Sequence, residues 1–159
     1  MTIQQSIDIN KPIDNCWKVL GQEFPNISKW ASSIHKSTGH GTFFSGSNCS
    51  ERECLNGKTI FLEKLVKFEN DNHLLSYDIT QGTPGFVQHA NNTWQLLNKD
   101  NKTTLQMTLQ ITTKGLLGSV LGQVMKVALT KQFNQMMEEF KYYVETGQPH
   151  KRKIKSKNI

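Results

Sequence analysis

The sequence predicts an α+β protein in which a seven-stranded antiparallel sheet covers one long C-terminal helix. Segments with alternating polar and apolar side chains recur along most of the chain, and short turn sequences separate them. The final long stretch, 116–146, instead has apolar residues at intervals of three and four, as an amphipathic helix does. A chain of 159 residues is long enough for one domain with one core, which this helix and sheet would form together.

The first strand, 2–10, has isoleucines at positions 3, 7 and 9 on one face. A short helix is predicted from Pro12, which suits a first helical turn, to Leu20, and Gly21 ends it. A second short helical segment runs over 24–30. Two short helices in place of one long helix predict a V-shaped connection to the rest of the sheet.

Six further strands follow, and the short turns between most of them predict an antiparallel meander. The dipeptide Asn56-Gly57 is a strong signal for a two-residue hairpin. Two Gly-rich segments, 38–47 and 81–86, are predicted to be loops that could act as gates. The six predicted strands are residues 32–37, 48–55, 58–68, 73–80, 87–97 and 103–113.

The last element is a helix over 116–146, roughly 45 Å long. Its apolar stripe moves gradually around the helix axis, which predicts a curved helix held by a twisted sheet. Gly147 and Pro149 are typical residues for ending such a helix.

The net charge of +6 raises the question of nucleic-acid binding. Five of the 19 basic residues lie in 151–157, which leaves 14 basic against 13 acidic residues in 1–150. The predicted domain, 1–147, is therefore nearly neutral and has no basic groove for nucleic acid. The tail, 148–159, is predicted to be disordered because it is highly charged, with weak contact to acidic surfaces as the alternative to a solvated end.

Other features of the composition narrow the class of protein. No run of about 18 apolar residues occurs, so no membrane span is expected, and the polar N-terminus does not resemble a signal peptide. The three cysteines, at positions 16, 49 and 54, lack metal-ligand spacing and predict reduced thiols in a cytoplasmic protein. No metal or cofactor is expected, and the sequence leaves monomer and homodimer open.

Several local motifs occur in a recognisable order. They are Ile9 to Trp17 with Pro12, Phe24-Pro25 through Trp30, Gly46-Ser47, Asn56-Gly57, Glu63-Lys64-Leu65 and Leu75-Ser76-Tyr77. Together with the order of elements, they resemble the START-like superfamily, also called SRPBCC, over about residues 2–147. This superfamily includes polyketide cyclase/dehydrase-like and lipid-transport proteins. The resemblance implies a helix-grip fold, in which a curved sheet wraps the C-terminal helix and leaves an apolar cavity between them.

The resemblance also implies which side chains face that cavity, although core packing is the alternative for each apolar one. On the sheet these are Phe61, Glu63, Leu65, Leu75, Tyr77, Ile79, Asn92, Trp94, Leu96, Leu105, Met107 and Leu109. On the helix they are Leu117, Leu121, Val124, Met125 and Ala128.

Glu63 is the most informative of these residues, because it interrupts the apolar run 60–68 on the predicted inward face. A buried carboxylate without a partner is costly, so Glu63 could bind a polar group of a ligand or act as a general acid or base. A shift of strand register or a bulge would instead place it in solvent.

No catalytic motif accompanies Glu63. The five histidines are scattered, with only His89 a candidate site residue, and neither HExxH nor G-x-S-x-G occurs. The first function predicted is binding of a small hydrophobic or amphipathic ligand, such as a lipid, quinone or polyketide-like aromatic molecule. The alternative is a cyclase or dehydratase with Glu63 as acid/base and Tyr77 orienting the substrate. A protein-interaction module, the third class, would expose an apolar patch in place of a cavity.

Overall fold

One antiparallel sheet and one long helix form the two layers of the protein, as the sequence predicts. The computed structural model describes residues 1–156, and the side chains of all of these except 116–120. The strands are β1 (Thr2–Ile9), β2 (Lys36–His40), β3 (Glu51–Asn56), β4 (Thr59–Glu69), β5 (Leu74–Gln81), β6 (Val87–Lys99) and β7 (Lys102–Thr113). The helices are α1 (Ile13–Trp17), a π-helical turn (Lys18–Gln22), a 3₁₀ segment (Phe24–Lys29), α2 (Gly115–Thr146) and α3 (Lys151–Ser156).

The strand order β1-β7-β6-β5-β4-β3-β2 describes a curved antiparallel sheet that holds α2, so the predicted helix-grip fold is confirmed. β2 through β7 form a meander, and β1 pairs with β7 at the far edge. The chain therefore crosses from one edge of the sheet to the other between β1 and β2, and the short helices make that crossing. Because these helices span one end of the sheet, they close that end of the space beneath α2.

The core lies between the concave face of the sheet, the short helices and the C-terminal half of α2. Phe140 of α2 is fully buried and packs edge-on against Trp30, with ring centroids 5.2 Å apart. Phe24 packs against Tyr77 of β5 at 5.9 Å. These aromatic contacts tie the helical connection to both layers, which fixes the position of the short helices over the sheet.

The hairpin between β3 and β4 forms where predicted, but its turn is centred one residue later. Asn56 pairs with Thr59, so Gly57 and Lys58 are the two central residues. Gly57 has φ +60°, a left-handed conformation that glycine adopts without a side-chain clash. This centring sets the register of both strands and therefore decides which of their side chains meet.

The second strand lies later in the chain than predicted. Residues 32–34 do not extend the sheet, because the chain turns there and the Ile34 amide donates to the Ala31 carbonyl. The His35 amide then donates to the Leu55 carbonyl of β3. β2 then runs to His40, into the segment predicted to be a Gly-rich loop.

The prediction of a disordered tail is wrong for residues 151–156, which form α3. The Lys153 side chain is fully buried, and its Nζ donates to the carbonyl of Ile34 at 2.6 Å. Arg152 forms ion pairs with Glu138 and Glu139 on α2. The prediction failed because it considered only the charges of the tail itself. It did not include the carboxylates on α2 that pair with Arg152. Residues 157–159 lie outside the described part of the chain.

Candidate ligand-binding site

A cavity of about 310 Å³ lies between the concave face of the sheet and α2. This volume is at the lower end of the range for small-molecule sites in proteins. The wall is mostly apolar, and its residues come from β3 to β7, from α2, from the 3₁₀ segment and the turn that follows it, and from the loop at 83–84. They are Ile27, Ile34, Cys54, Asn56, Phe61, Glu63, Tyr77, Ile79, Thr83, Pro84, Val87, Ala90, Asn92, Leu109, Ile111, Met125, Leu129, Gln132, Phe133 and Met136.

Some of the residues that the sequence predicts to face the cavity do line this wall. The residues found there are Phe61, Glu63, Tyr77, Ile79, Asn92 and Leu109 on the sheet and Met125 on α2.

Other predicted residues on the concave face are buried in packed core away from the cavity. Leu75, Trp94 and Met107 are direct neighbours across β5, β6 and β7, so their side chains form one packed row. Leu65, Leu96 and Leu105 are buried in the same core. These residues share the face of the cavity residues but lie farther along their strands, where the sheet is filled by its own side chains.

Three of the α2 residues predicted to face the cavity do not face it. Leu121 and Val124 are 44% and 70% exposed, and Ala128 is also exposed. The helix turns Met125, which is in the predicted set, together with Leu129 and Phe133 towards the cavity. Apolar residues occur on both sides of this half of the helix, so spacing alone does not select the buried side. Leu117 lies outside the described side chains.

Several wall residues were missed by the sequence reasoning, although some had a signal. Ala90 and Ile111 have the same strand parity as Asn92 and Leu109, and extending the inward face by two residues would have found them. Thr83 and Pro84 belong to the Gly/Pro loop 81–86. The placement of Ile27 and Ile34 depends on how the short helices cross the sheet, which no local pattern reports.

A buried ion pair occupies the polar end of the cavity. Arg52 of β3 lies directly across from Glu63 of β4, and its Nε and Nη2 approach Glu63 Oε2 at 2.7 and 2.5 Å. The Arg52 Nη1 donates to the carbonyl of Phe24 at 2.6 Å. The guanidinium carbon lies 4.0 Å from the centre of the Phe24 ring and 5.3 Å from that of Tyr77. Glu63 is therefore inside, as predicted, but it has a charged partner.

Burial and the charges of this pair shift the pKa values of the titratable groups at this end of the cavity. Burial alone would lower the pKa of Arg52, but the adjacent Glu63 carboxylate holds it above its ordinary value. Burial raises the pKa of the Cys54 thiol to about 12, and that thiol donates to Glu63 Oε2 at 3.6 Å. Burial, together with the charge of Glu63, also raises the pKa of Tyr77. Cys54 and Tyr77 therefore keep their protons near neutral pH.

Tyr77 and Asn92 form a second polar contact at the wall, as direct partners on β5 and β6. The Asn92 Nδ2 donates to the Tyr77 hydroxyl at 3.0 Å. The Asn92 side chain is almost completely buried, and its Oδ1 has no hydrogen-bond partner among the described residues. A buried acceptor without a donor is unusual and calls for a physical explanation.

His89 does not belong to the cavity wall. It is more than half exposed, and its Nε2 lies 3.2 Å from Oδ1 of Asp78. Within residues 1–156, no group of three or more His, Cys, Asp or Glu side chains could hold a metal ion. No helix in the described part of the chain is both long and apolar enough to cross a membrane.

The fold and cavity agree with a family model that matches residues 1–145 and is described as polyketide cyclase/dehydrase and lipid transport. The chain belongs to this family. No curated protein matches it.

Solved structures share the fold at low sequence identity. A START superfamily protein from Mycobacterium smegmatis is 11% identical, with a TM-score of 0.73, over 91% of this chain and 97% of that one. A protein from Thermus thermophilus is 12% identical, with a TM-score of 0.73, over 91% and 97% of the two chains. The Zhui aromatase/cyclase from Streptomyces sp. R1128 is 13% identical, with a TM-score of 0.70, over 94% of this chain and 99% of that one. These similarities support the START-like fold assignment.

Proposed function

We propose that this protein binds a small hydrophobic or amphipathic molecule in the cavity between the sheet and α2. The observation that carries the proposal is the cavity itself, because protein interiors are otherwise close-packed and a void of about 310 Å³ loses many contacts. Its apolar wall suits a hydrocarbon or aromatic body, and the few polar side chains at one end suit a single polar group.

The family description and a similarly folded aromatase/cyclase keep a cyclase or dehydratase as the alternative. The geometry gives that alternative less support. Arg52 occupies Glu63 Oε2, so only Oε1 of this carboxylate is available to accept a proton from a substrate. Cys54 and Tyr77 keep their protons because their pKa values are raised, so neither is a ready general base near neutral pH.

The loop 81–86 supplies Thr83 and Pro84 to the wall, and it joins β5 to β6 at the edge of the cavity. A loop in this position would control entry to the cavity if it opened. We include this gating in the proposal.

A matched pair of substitutions tests the proposal. Ala90→Phe places an aromatic ring in the cavity, whereas Ala128→Phe adds the same ring to the exposed side of α2. Native mass spectrometry of freshly purified protein would show whether small molecules co-purify. A polarity-sensitive dye, titrated into each protein and displaced by lipids and aromatics, would measure binding.

The expected result is dye binding by the wild type and by Ala128→Phe, and its loss in an Ala90→Phe variant that keeps its circular dichroism spectrum. Equal binding by all three proteins would place the dye elsewhere. No bound molecule and no dye binding by the wild type would contradict the proposed function.

A further inference from the structure

Among the described residues, the polar end of the cavity presents the carboxylate of Glu63 and no free cation. From this, and relying on the proposed function, we propose that the ligand carries an uncharged hydrogen-bond donor, such as a hydroxyl group, and that ligands with a carboxylate are excluded. The proposal assigns a ligand class to a cavity whose occupant is otherwise defined only by its apolar wall.

The acceptor is the second carboxylate oxygen of Glu63, Oε1. Arg52 and Cys54 both contact Oε2, so Oε1 has no hydrogen-bond partner among the described residues. Glu63 lines the cavity with a small part of its side chain exposed. A ligand hydroxyl that donated to Oε1 would form a charge-assisted hydrogen bond, which is stronger than one between neutral groups.

Asn92 lines the same wall, but its Oδ1, unpaired among the described residues, is buried even from a water-sized molecule, so it offers a ligand no acceptor. Glu63 Oε1 is therefore the acceptor on which the proposed ligand class depends.

The positive charge nearby is not available to a ligand. Arg52 is 4% exposed, and its Nε, Nη1 and Nη2 all contact Glu63 or the Phe24 carbonyl. Among the described wall residues of the cavity none is Lys, Arg or His. A ligand carboxylate would therefore meet the Glu63 charge in a poorly solvated space with no free cation to balance it, which is unfavourable.

Two ligands of equal chain length test this inference. Competition between the bound polarity-sensitive dye and either 1-decanol or decanoate would be measured at about pH 8, where the acid is ionised. We expect decanol to displace the dye at a concentration lower by at least about tenfold, since like charges in close contact cost at least that much. Equal displacement, or better displacement by decanoate, would overturn the inference and leave the proposed function standing. Displacement of the dye by neither ligand would overturn the inference, and a protein that binds neither the dye nor any other apolar molecule would overturn the proposed function as well.

Glu63→Gln and Glu53→Gln make the same charge change at a wall residue and at an exposed residue of β3. Glu63→Gln leaves the Arg52 charge without its partner, so the preference for decanol should shrink or reverse. Glu53→Gln should keep the wild-type preference, and an unchanged preference in a folded Glu63→Gln protein would contradict the inference.

Discussion

Arg52 donates from Nε to Oε2 of Glu63 at 2.7 Å, and both side chains are almost completely buried. The pair is a direct cross-strand partnership of β3 and β4. The Phe24 and Tyr77 rings lie against the guanidinium, and the cavity lies beside the carboxylate. Removing two such charges from water costs several kcal/mol for each ion, and the pair repays this cost only while both partners are present.

Arg52→Met should therefore destabilise the protein by about 3–5 kcal/mol, because it leaves the Glu63 carboxylate buried and uncompensated. The double variant Arg52→Met with Glu63→Leu should recover most of this loss, since apolar residues of similar volume replace the pair. Urea denaturation of the single and double variants measures both effects. If the double variant lost as much free energy of unfolding as the two single variants together, the ion pair would not act as a unit.

The same pair shows how far the sequence predicts the site. Strand parity placed Glu63 inside, but it did not give Glu63 a partner. The hairpin turn contains that information: with Gly57 and Lys58 at its centre, Arg52 and Glu63 are equally distant from the turn and must meet. A turn centred on Asn56 and Gly57 would instead have paired Arg52 with Phe61.

The fold was more predictable than the site, for a physical reason. Alternating strands, short turns and a long final helix each leave a local periodic signal, and together they define the architecture. Which part of the concave face stays unfilled depends on long-range packing. Leu75 and Tyr77 have the same parity on β5, yet Leu75 packs against Trp94 in the filled core and Tyr77 borders the cavity. The predicted order of elements is therefore confirmed, whereas only part of the predicted wall lies at the cavity.

The stability of the protein should fall as the pH rises from about 9 towards about 12. Burial raises the pKa of Cys54 from its ordinary 9.0 to about 12, and burial and Glu63 raise that of Tyr77 above its ordinary 10.0. The folded state therefore favours the protonated forms. Their contribution to stability is complete below the ordinary pKa values and is lost as the pH approaches the raised ones.

The free energy of unfolding, measured by urea denaturation across this pH range, checks the sign. Tyr77→Phe should make the alkaline decline shallower, because it removes one of the two groups. Tyr142→Phe, a change at an exposed tyrosine of α2, should leave the slope as in the wild type. A slope that is unaltered by Tyr77→Phe would mean that the phenol does not contribute to the decline.

The C-terminal α3 should contribute to the stability of the domain. Lys153→Ala removes the donor to the Ile34 carbonyl, so about 1–3 kcal/mol should be lost. Lys155→Ala, which truncates an exposed lysine of the same helix, should have little effect. Thermal unfolding of the two variants compares them directly. Because Ile34 also lines the cavity, hydrogen exchange of residues 31–35 should increase in Lys153→Ala and not in Lys155→Ala. Equal stability of the two variants would mean that the α3 contact is dispensable.

Truncating apolar side chains on the two sides of α2 should change the free energy of unfolding by very different amounts. Phe140 is fully buried against Trp30, so Phe140→Ala should cost about 3–5 kcal/mol through lost contacts and the space it leaves. Val127 is 74% exposed, and Val127→Ala should change the free energy of unfolding by less than about 0.5 kcal/mol. Urea denaturation of both variants measures the difference. A large loss on truncating Val127 would show that its side of the helix is covered in solution, which would point to self-association, and a dependence of stability on protein concentration would then accompany it.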